Sequence, residues 1–222
     1  SVHGPKTERT SVFMAVVEAD GEMMVGVSDM ESMEALTPEV VNDHAQSIRK
    51  ADAIVLDCNL PEATLCHIFE TYGEKRLYVD GVSAAKVKKI HPYLSKVHTL
   101  KITENEAHAL YKEEAAIGEA AEWCLKRGVK RVFVSLGARG FALYDQETST
   151  FVKALKVDVI DTSGAGDALM AGILYADAHQ KAPAPYALAA SAIAVKSASA
   201  VNTDISPTAI ESIVKEYAND FN

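Results

Sequence analysis

The sequence predicts an α/β fold in which a mostly parallel sheet is covered by helices on both faces. Three observations point there. Short β-prone runs alternate with helical stretches along most of the chain, and the connections between them are short. One of the runs, Ala53–Asp57 (AIVLD), is of the continuous apolar kind that forms a fully buried parallel strand. Ligands of such sheets bind beyond the carboxyl ends of the strands.

The elements follow in order. Residues 11–18 (SVFMAVVE) and the run EMMVGVS flank Asp20-Gly21, a pairing expected of a β-hairpin. Thr37-Pro38-Glu39 places a cap before a proline at the first helical position, opening a helix over 37–50. After the strand at Ala53–Asp57, Leu60-Pro61-Glu62 opens a second helix that runs to about Tyr72-Gly73. Arg76–Asp80 is the next strand, 84–94 a short helix and 96–100 a strand. Residues 104–111 and 115–127 are helical, the latter ending at Gly128. A strand over 132–135 runs into a glycine turn, and 141–144 and 150–152 form a last hairpin. Three helices close the chain: a small-residue, apolar one over 165–178, a similar one over 186–198, and an amphipathic one over 207–218 that starts at Ser206-Pro207.

The 222 residues are 48% hydrophobic and 24% charged, enough for a sizeable core in one large domain or two small ones. A net charge of -9 argues against non-specific nucleic-acid binding, which needs a basic face. Cys58, Cys66 and Cys124 are odd in number and lack a CxxC pair, so neither a disulfide framework nor a zinc site is expected. They read as reduced thiols in a cytoplasmic protein. No run approaches the ~20 apolar residues of a membrane span, and the opening residues do not form a secretory signal. No membrane partner is expected.

The chemistry concentrates in Asp161-Thr162-Ser163-Gly164-Ala165-Gly166-Asp167. Gly164 and Gly166 let the backbone turn tightly and approach a ligand closely. The amides of Gly164, Ala165 and Gly166 stand at the start of a helix, where free N–H groups and the helix dipole favour an anion such as a transferring phosphoryl group. Asp167 follows them, placed to take a proton from an attacking hydroxyl. Phosphoryl transfer needs little beyond positioning, charge stabilisation and an oriented nucleophile. A glycine loop before a helix can equally be a plain strand–helix turn, and the longer string is what distinguishes the two.

That string, D-T-S-G-A-G-D-A-L-M-A-G, closely resembles the DTxGAGDxxxAG signature of the ribokinase-like (PfkB) carbohydrate and nucleoside kinases. The resemblance implies a three-layer α/β/α fold, ATP with Mg²⁺, Asp167 as catalytic base and Gly164, Ala165 and Gly166 as an anion hole. Ser135-Leu136-Gly137-Ala138-Arg139-Gly140 resembles the family's (S/T)LGxxG loop, which implies that Ser135, Gly137 and Gly140 lie along the ATP phosphates. Glu106 matches the glutamate of the family's NxxE motif and is implied to organise Mg²⁺ through water. Asp161 and Ser163 match positions of a monovalent-cation site, implying K⁺, with 197–200 as a further source of ligands.

Two departures stand out. Thr103 holds the place of the family's asparagine in Lys101-Ile102-Thr103, and Asp80-Gly81-Val82-Ser83 stands where similar members read Asp-Pro-Val-Ser. Within the family, the order of Glu8-Arg9-Thr10-Ser11, Gly21-Glu22, Val27-Ser28-Asp29-Met30, 55–60, 82–86 and 98–101 resembles the pseudouridine kinases. Phosphorylation of the pseudouridine 5′-hydroxyl is the implied reaction. A kinase for another ribose-containing nucleoside or sugar, or a nucleotide-binding module without activity, are the alternatives.

The resemblance begins in the middle of the family pattern. The expectation is a single kinase domain lacking its N-terminal sugar-binding segment, with 1–30 as a lid or edge hairpin and 31–222 as the α/β core. The implied partner is a small nucleoside or sugar, and the resemblance leaves room for a homodimer. A dinucleotide-binding dehydrogenase is disfavoured, because no GxGxxG follows an early strand.

Overall fold

The computed structural model describes residues 10–17 and 23–217. Strands β1 (Val12–Val17) and β2 (Met23–Asp29) pair antiparallel, Val12 opposite Asp29 and Val16 opposite Val25. The expected Asp20-Gly21 turn lies outside the described residues, as do Glu8, Arg9 and Glu22. Phe13, Met14, Val16, Met24 and Val27 of this ribbon are exposed.

The helix expected over 37–50 is two short ones, α1 (Pro38–Asp43) and α2 (Ala45–Lys50), divided at His44, whose ψ of 8° is not helical. The run Val40-Val41-Asn42-Asp43-His44 explains the break, since these residue types sit low on the helix scale. β3 (Ala53–Asp57) follows, then α3 (Glu62–Tyr72) and β4 (Arg76–Asp80). Residues Val87–Lys96 form 3₁₀ turns instead of a regular helix; Pro92 inside them has no N–H to donate. Next come β5 (Val97–Thr103), α4 (Glu104–Leu110), α5 (Ile117–Lys126), β6 (Arg131–Ser135), β7 (Gly140–Asp145) and β8 (Ser149–Lys153). The chain ends in α6 (Ala165–Ala178), α7 (Pro183–Ala194) and α8 (Pro207–Glu216).

Strands β3 to β8 form one sheet in sequential order, β3-β4-β5-β6-β7-β8, mostly parallel and flanked by helices. β3 pairs in parallel with β4, and β4 with β5. β3 does not fit the fully buried strand its composition suggests: Val55 is half exposed and only Leu56 is buried. Its place at the end of the strand order accounts for this, because among the described residues no strand pairs with its other flank.

Two compact units are distinguished. The first comprises Ser1–Val134 and Tyr144–Thr148, the second Ser135–Leu143 and Ser149–Asn222. The core of the first is built on Leu65, Phe69 and Tyr72 of α3 with Leu77, Tyr78 and Val79 of β4 and Leu100 and Ile102 of β5, all buried. Each such side chain contributes about 1.5–3 kcal/mol when fully removed from water. In the second unit, Ala168 of α6 packs with Ala189, Ala190, Ile193 and Ala194 of α7 and with Ile210 of α8. The helices come very close. A Cβ at Gly172 would lie 2.7 Å from the Tyr186 carbonyl carbon and 2.8 Å from Ala187 Cα, so the last glycine of the signature is a packing requirement.

The three cysteines are free thiols, Cys58 and Cys124 buried. Burial pushes both thiols up to about 12, and for Cys58 the carboxylates of Asp57, Asp80 and Glu106 add to the effect. Among the described residues no helix is long and apolar enough to cross a membrane.

Candidate functional site

The signature loop belongs to the second unit. Its geometry is set by Gly164, which caps α6 in the left-handed region at φ 77° and ψ -3°. A side chain is excluded there twice over. Left-handed φ is unfavourable for L-residues other than glycine, and a Cβ would collide with the Ala200 carbonyl, its carbon only 3.0 Å away. From this cap the helix begins at once, with Ala168 N donating to Gly164 O at 2.9 Å. The Ala165 amide donates to Thr162 O at 3.2 Å. Asp167 stands in the first turn of α6 and is exposed, while Ala168, Leu169 and Met170 behind it are buried. The carboxylate is therefore carried on a rigid helix end and presented outward.

Upstream, Asp161 Oδ1 accepts from the Ser163 amide at 2.8 Å, and this bond holds the Asp161 carboxyl below the usual carboxylate range. Val195 O accepts from the amides of Ile160 and Asp161 at 2.8 and 3.3 Å. Asn202 is buried; its amide group donates to Ile193 O at 2.7 Å, and its Oδ1 accepts from Asp204 N. These bonds anchor both chains that flank the loop, 160–163 and 195–204. Sequence reasoning did not single out Asn202. Its N-T-D spacing is that of an Asx-turn, which was the available signal.

The second glycine loop, 135–140, is also in this unit. Ser135 ends β6, and a 3₁₀ turn over Gly137–Arg139 leads into β7. Leu136 N donates to Gly140 O at 2.8 Å, closing the turn. Gly137 has φ 58° with nothing within 4 Å of a notional Cβ, so its flank is open. Gly140 has φ 105°, and a Cβ there would strike the Val152 carbonyl and sit 2.6 Å from Ala154 N. One glycine serves an open face and the other a tight strand crossing.

Glu106 lies in the first unit, with a different character. It is buried, and its Oε2 accepts from the Thr103 amide at 3.0 Å while Thr103 Oγ1 accepts from the Glu106 amide at 3.3 Å. The two form a capping box at the start of α4. Thr103 thus spends its hydroxyl on the helix end. Beside them Lys101 Nζ donates to Asp80 Oδ2 at 2.8 Å, both side chains largely buried. Burial pushes the Glu106 carboxyl up from its usual range and Asp80 adds to this, against the Thr103 hydrogen bonds and the Lys101 charge. The Asp80–Lys101 pair escaped the sequence reading, because it depends on the register that sets Asp80 opposite Lys101.

The residues fit the groups that the family resemblance implies. A hard cation such as Mg²⁺ takes one or two carboxylates with water and phosphate oxygens, and Glu106 supplies one that occupies space a Cβ at Gly81 would fill, 2.5 Å from Oε2. Among the described residues no group of three His, Cys, Asp or Glu side chains forms a metal cage. For a nucleotide, Gly137 offers an open flank, whereas the Cβ side of Gly164 faces the Ala200 carbonyl.

Comparison with known proteins agrees with the fold. The ribokinase of Arabidopsis thaliana, solved in complex with ribose and ATP, superposes with a TM-score of 0.78 at 22% identity, over 93% of this chain and 69% of that one. The architecture is that of ribokinase. The model of the pfkB family carbohydrate kinases matches residues 1–209, and the chain belongs to that family. Pseudouridine kinase of Escherichia coli K12 is 34% identical over 171 residues, 75% of this chain and 55% of the relative. Ribokinase of Staphylococcus aureus COL is 27% identical over 164 residues, 72% and 53% of the two chains. The chain spans about half the length of the curated relatives it matches.

Proposed function

We propose that the protein is an ATP-dependent kinase that phosphorylates the 5′-hydroxyl of pseudouridine. The observation that carries the reading is the Asp161–Asp167 loop: a left-handed Gly164, packed against the Ala200 carbonyl, opens α6 and presents Asp167 at its exposed first turn. In this role Asp167 accepts the proton of the attacking hydroxyl. The oxygen then bonds to the γ-phosphorus, the bridging bond to the β-phosphate breaks, and ADP leaves. The amides of Gly164 and Gly166, joined by that of Ala165 on release from Thr162 O, would stabilise the charge on the transferring group, and Ser135, Gly137 and Gly140 would lie along the nucleotide phosphates. Glu106 would hold a water of the Mg²⁺ that neutralises the polyphosphate, and Asp161 with Ser163 would face a K⁺ ion. The free thiols go with a cytoplasmic location.

The resemblance to the pseudouridine kinase favours that nucleoside as acceptor. The similarity to ribokinase favours a second reading, a kinase for another ribose-containing nucleoside or for ribose. An ADP-release assay with ATP and Mg²⁺, offering pseudouridine, uridine and ribose in turn, separates the two. It is run on the 222-residue chain and on any longer form of the protein that carries it. Pseudouridine-dependent release is the expected result. Release with ribose alone would move the assignment to the second reading, and release with no acceptor would remove both.

A further inference from the structure

Asp80 ends β4 with both carboxylate oxygens engaged. Oδ2 accepts from Lys101 Nζ at 2.8 Å, in a pair whose side chains are 13% and 9% exposed. Oδ1 accepts from the Val82 amide at 3.1 Å. This second bond closes a turn that the backbone would not adopt unaided. Val82 has φ 65°, a conformation in which a β-branched residue is an outlier. Such conformations persist only where the surroundings over-determine them, and they gather at ligand clamps and active sites. Here the surroundings are identifiable: Gly81 N donates to Lys101 O at 3.0 Å and Ser83 N to Gly81 O at 2.7 Å.

The turn matters to Glu106 because Gly81 passes directly over it. A Cβ at Gly81 would lie 2.5 Å from Glu106 Oε2 and 3.0 Å from Ile102 Cγ2. The carboxylate therefore sits in a slot that exists only while the turn keeps its path and position 81 carries no side chain.

We propose that Asp80 is a positioning residue for Glu106: by tying the Gly81-Val82 turn to Lys101, it holds open the slot that the Glu106 carboxylate occupies and so sets the affinity for metal-loaded nucleotide. The inference rests on the reading of Glu106 as a holder of Mg²⁺-bound water. Groups that orient a metal's ligands typically change metal affinity 10–100-fold when removed.

The test is calorimetric titration of the 222-residue chain with ADP, once with Mg²⁺ and once with EDTA. Asp80→Ala should weaken binding of the Mg²⁺-loaded nucleotide by about 10–100-fold and leave metal-free binding unchanged. Asp80→Asn should lose less, since its amide oxygen still accepts from Val82 N. Gly81→Ala, which keeps Asp80 and Lys101 but fills the slot, should reproduce the selective loss. Thermal melts report whether each variant folds; if Asp80→Ala does not, the other two carry the comparison. Loss of both forms of ADP alike, or of neither, while the wild type still binds ADP more tightly with Mg²⁺, overturns the inference and leaves the kinase reading standing. A wild-type chain that binds neither form removes the kinase reading and this inference together.

Discussion

The 161–167 loop and the Glu106 corner use different materials. In the loop the placement is done by backbone: Gly164 is left-handed, the Ala200 carbonyl excludes any side chain at that position, and Asp167 is exposed. At Glu106 it is done by side chains: a buried carboxylate shares a capping box with Thr103 and lies beside the largely buried Asp80–Lys101 pair. The difference teaches where each region tolerates change. The loop, built from backbone conformation, is intolerant of a Cβ at Gly164. A corner built from hydrogen bonds is intolerant of losing a partner but accepts isosteric exchange.

The largest expected effect is on Asp167. In protein that turns over substrate, Asp167→Asn should reduce turnover on the order of 10²–10⁴-fold, the usual range for a general base. ADP affinity should change little. Steady-state kinetics beside calorimetry measures both, and near-wild-type turnover would rule out the role.

Gly140→Ala tests the backbone rule away from the proposed chemistry. Its φ of 105° and the Val152 carbonyl both oppose a Cβ. Holding a side chain in this sparsely populated backbone region, at φ 105° and ψ -133°, costs about 1–3 kcal/mol, so urea unfolding should show at least the lower figure. An unchanged midpoint would mean that the loop re-forms freely.

Glu106→Gln tests the side-chain rule. Glutamine can still accept from the Thr103 amide, so the box survives and only the charge is lost. Burial raises the Glu106 carboxyl above its ordinary range. The contribution of a group so shifted is fully present below the unfolded value of about 4.3 and is lost as pH rises through the folded value. Glu106→Gln escapes that loss. In metal-free melts its stability relative to wild type should therefore improve between pH ~4 and pH ~8. A constant difference would contradict the burial account.

The smallest effect belongs to Thr103→Asn. Asparagine caps helices at least as well as threonine, so stability should move by about 0.5 kcal/mol or less. The Mg²⁺ requirement for turnover should fall or stay the same. A strong rise would show that Lys101–Glu106 had been matched wrongly to the NxxE motif.

The contrast also explains what was legible beforehand. α3, β4 and α6 have the boundaries read from the sequence, because proline and glycine punctuate the chain at Pro61, Gly73 and Gly164. The loop was readable for the same reason, since glycine spacing is a local signal. The exposure of Val55 is not legible, because apolar composition does not say which strand lies at the end of the sheet. The Thr103–Glu106 box is legible as T-x-x-E, a local signal that the match of Glu106 to a metal motif obscures. The Asp80–Lys101 pair depends on parallel register, and the left-handed φ of Val82 depends on the turn's tertiary bond from Gly81 N to Lys101 O.

The central claim is that backbone at the start of α6 holds nucleotide phosphate. Its most direct measurement is calorimetric titration of ADP with Mg²⁺ into the wild-type chain and into Gly164→Ala, below the melting temperature of the variant. The account predicts binding by the wild type and a loss of about tenfold or more in the variant, equivalent to about 1.4 kcal/mol. Equal affinity in a folded Gly164→Ala chain would contradict it.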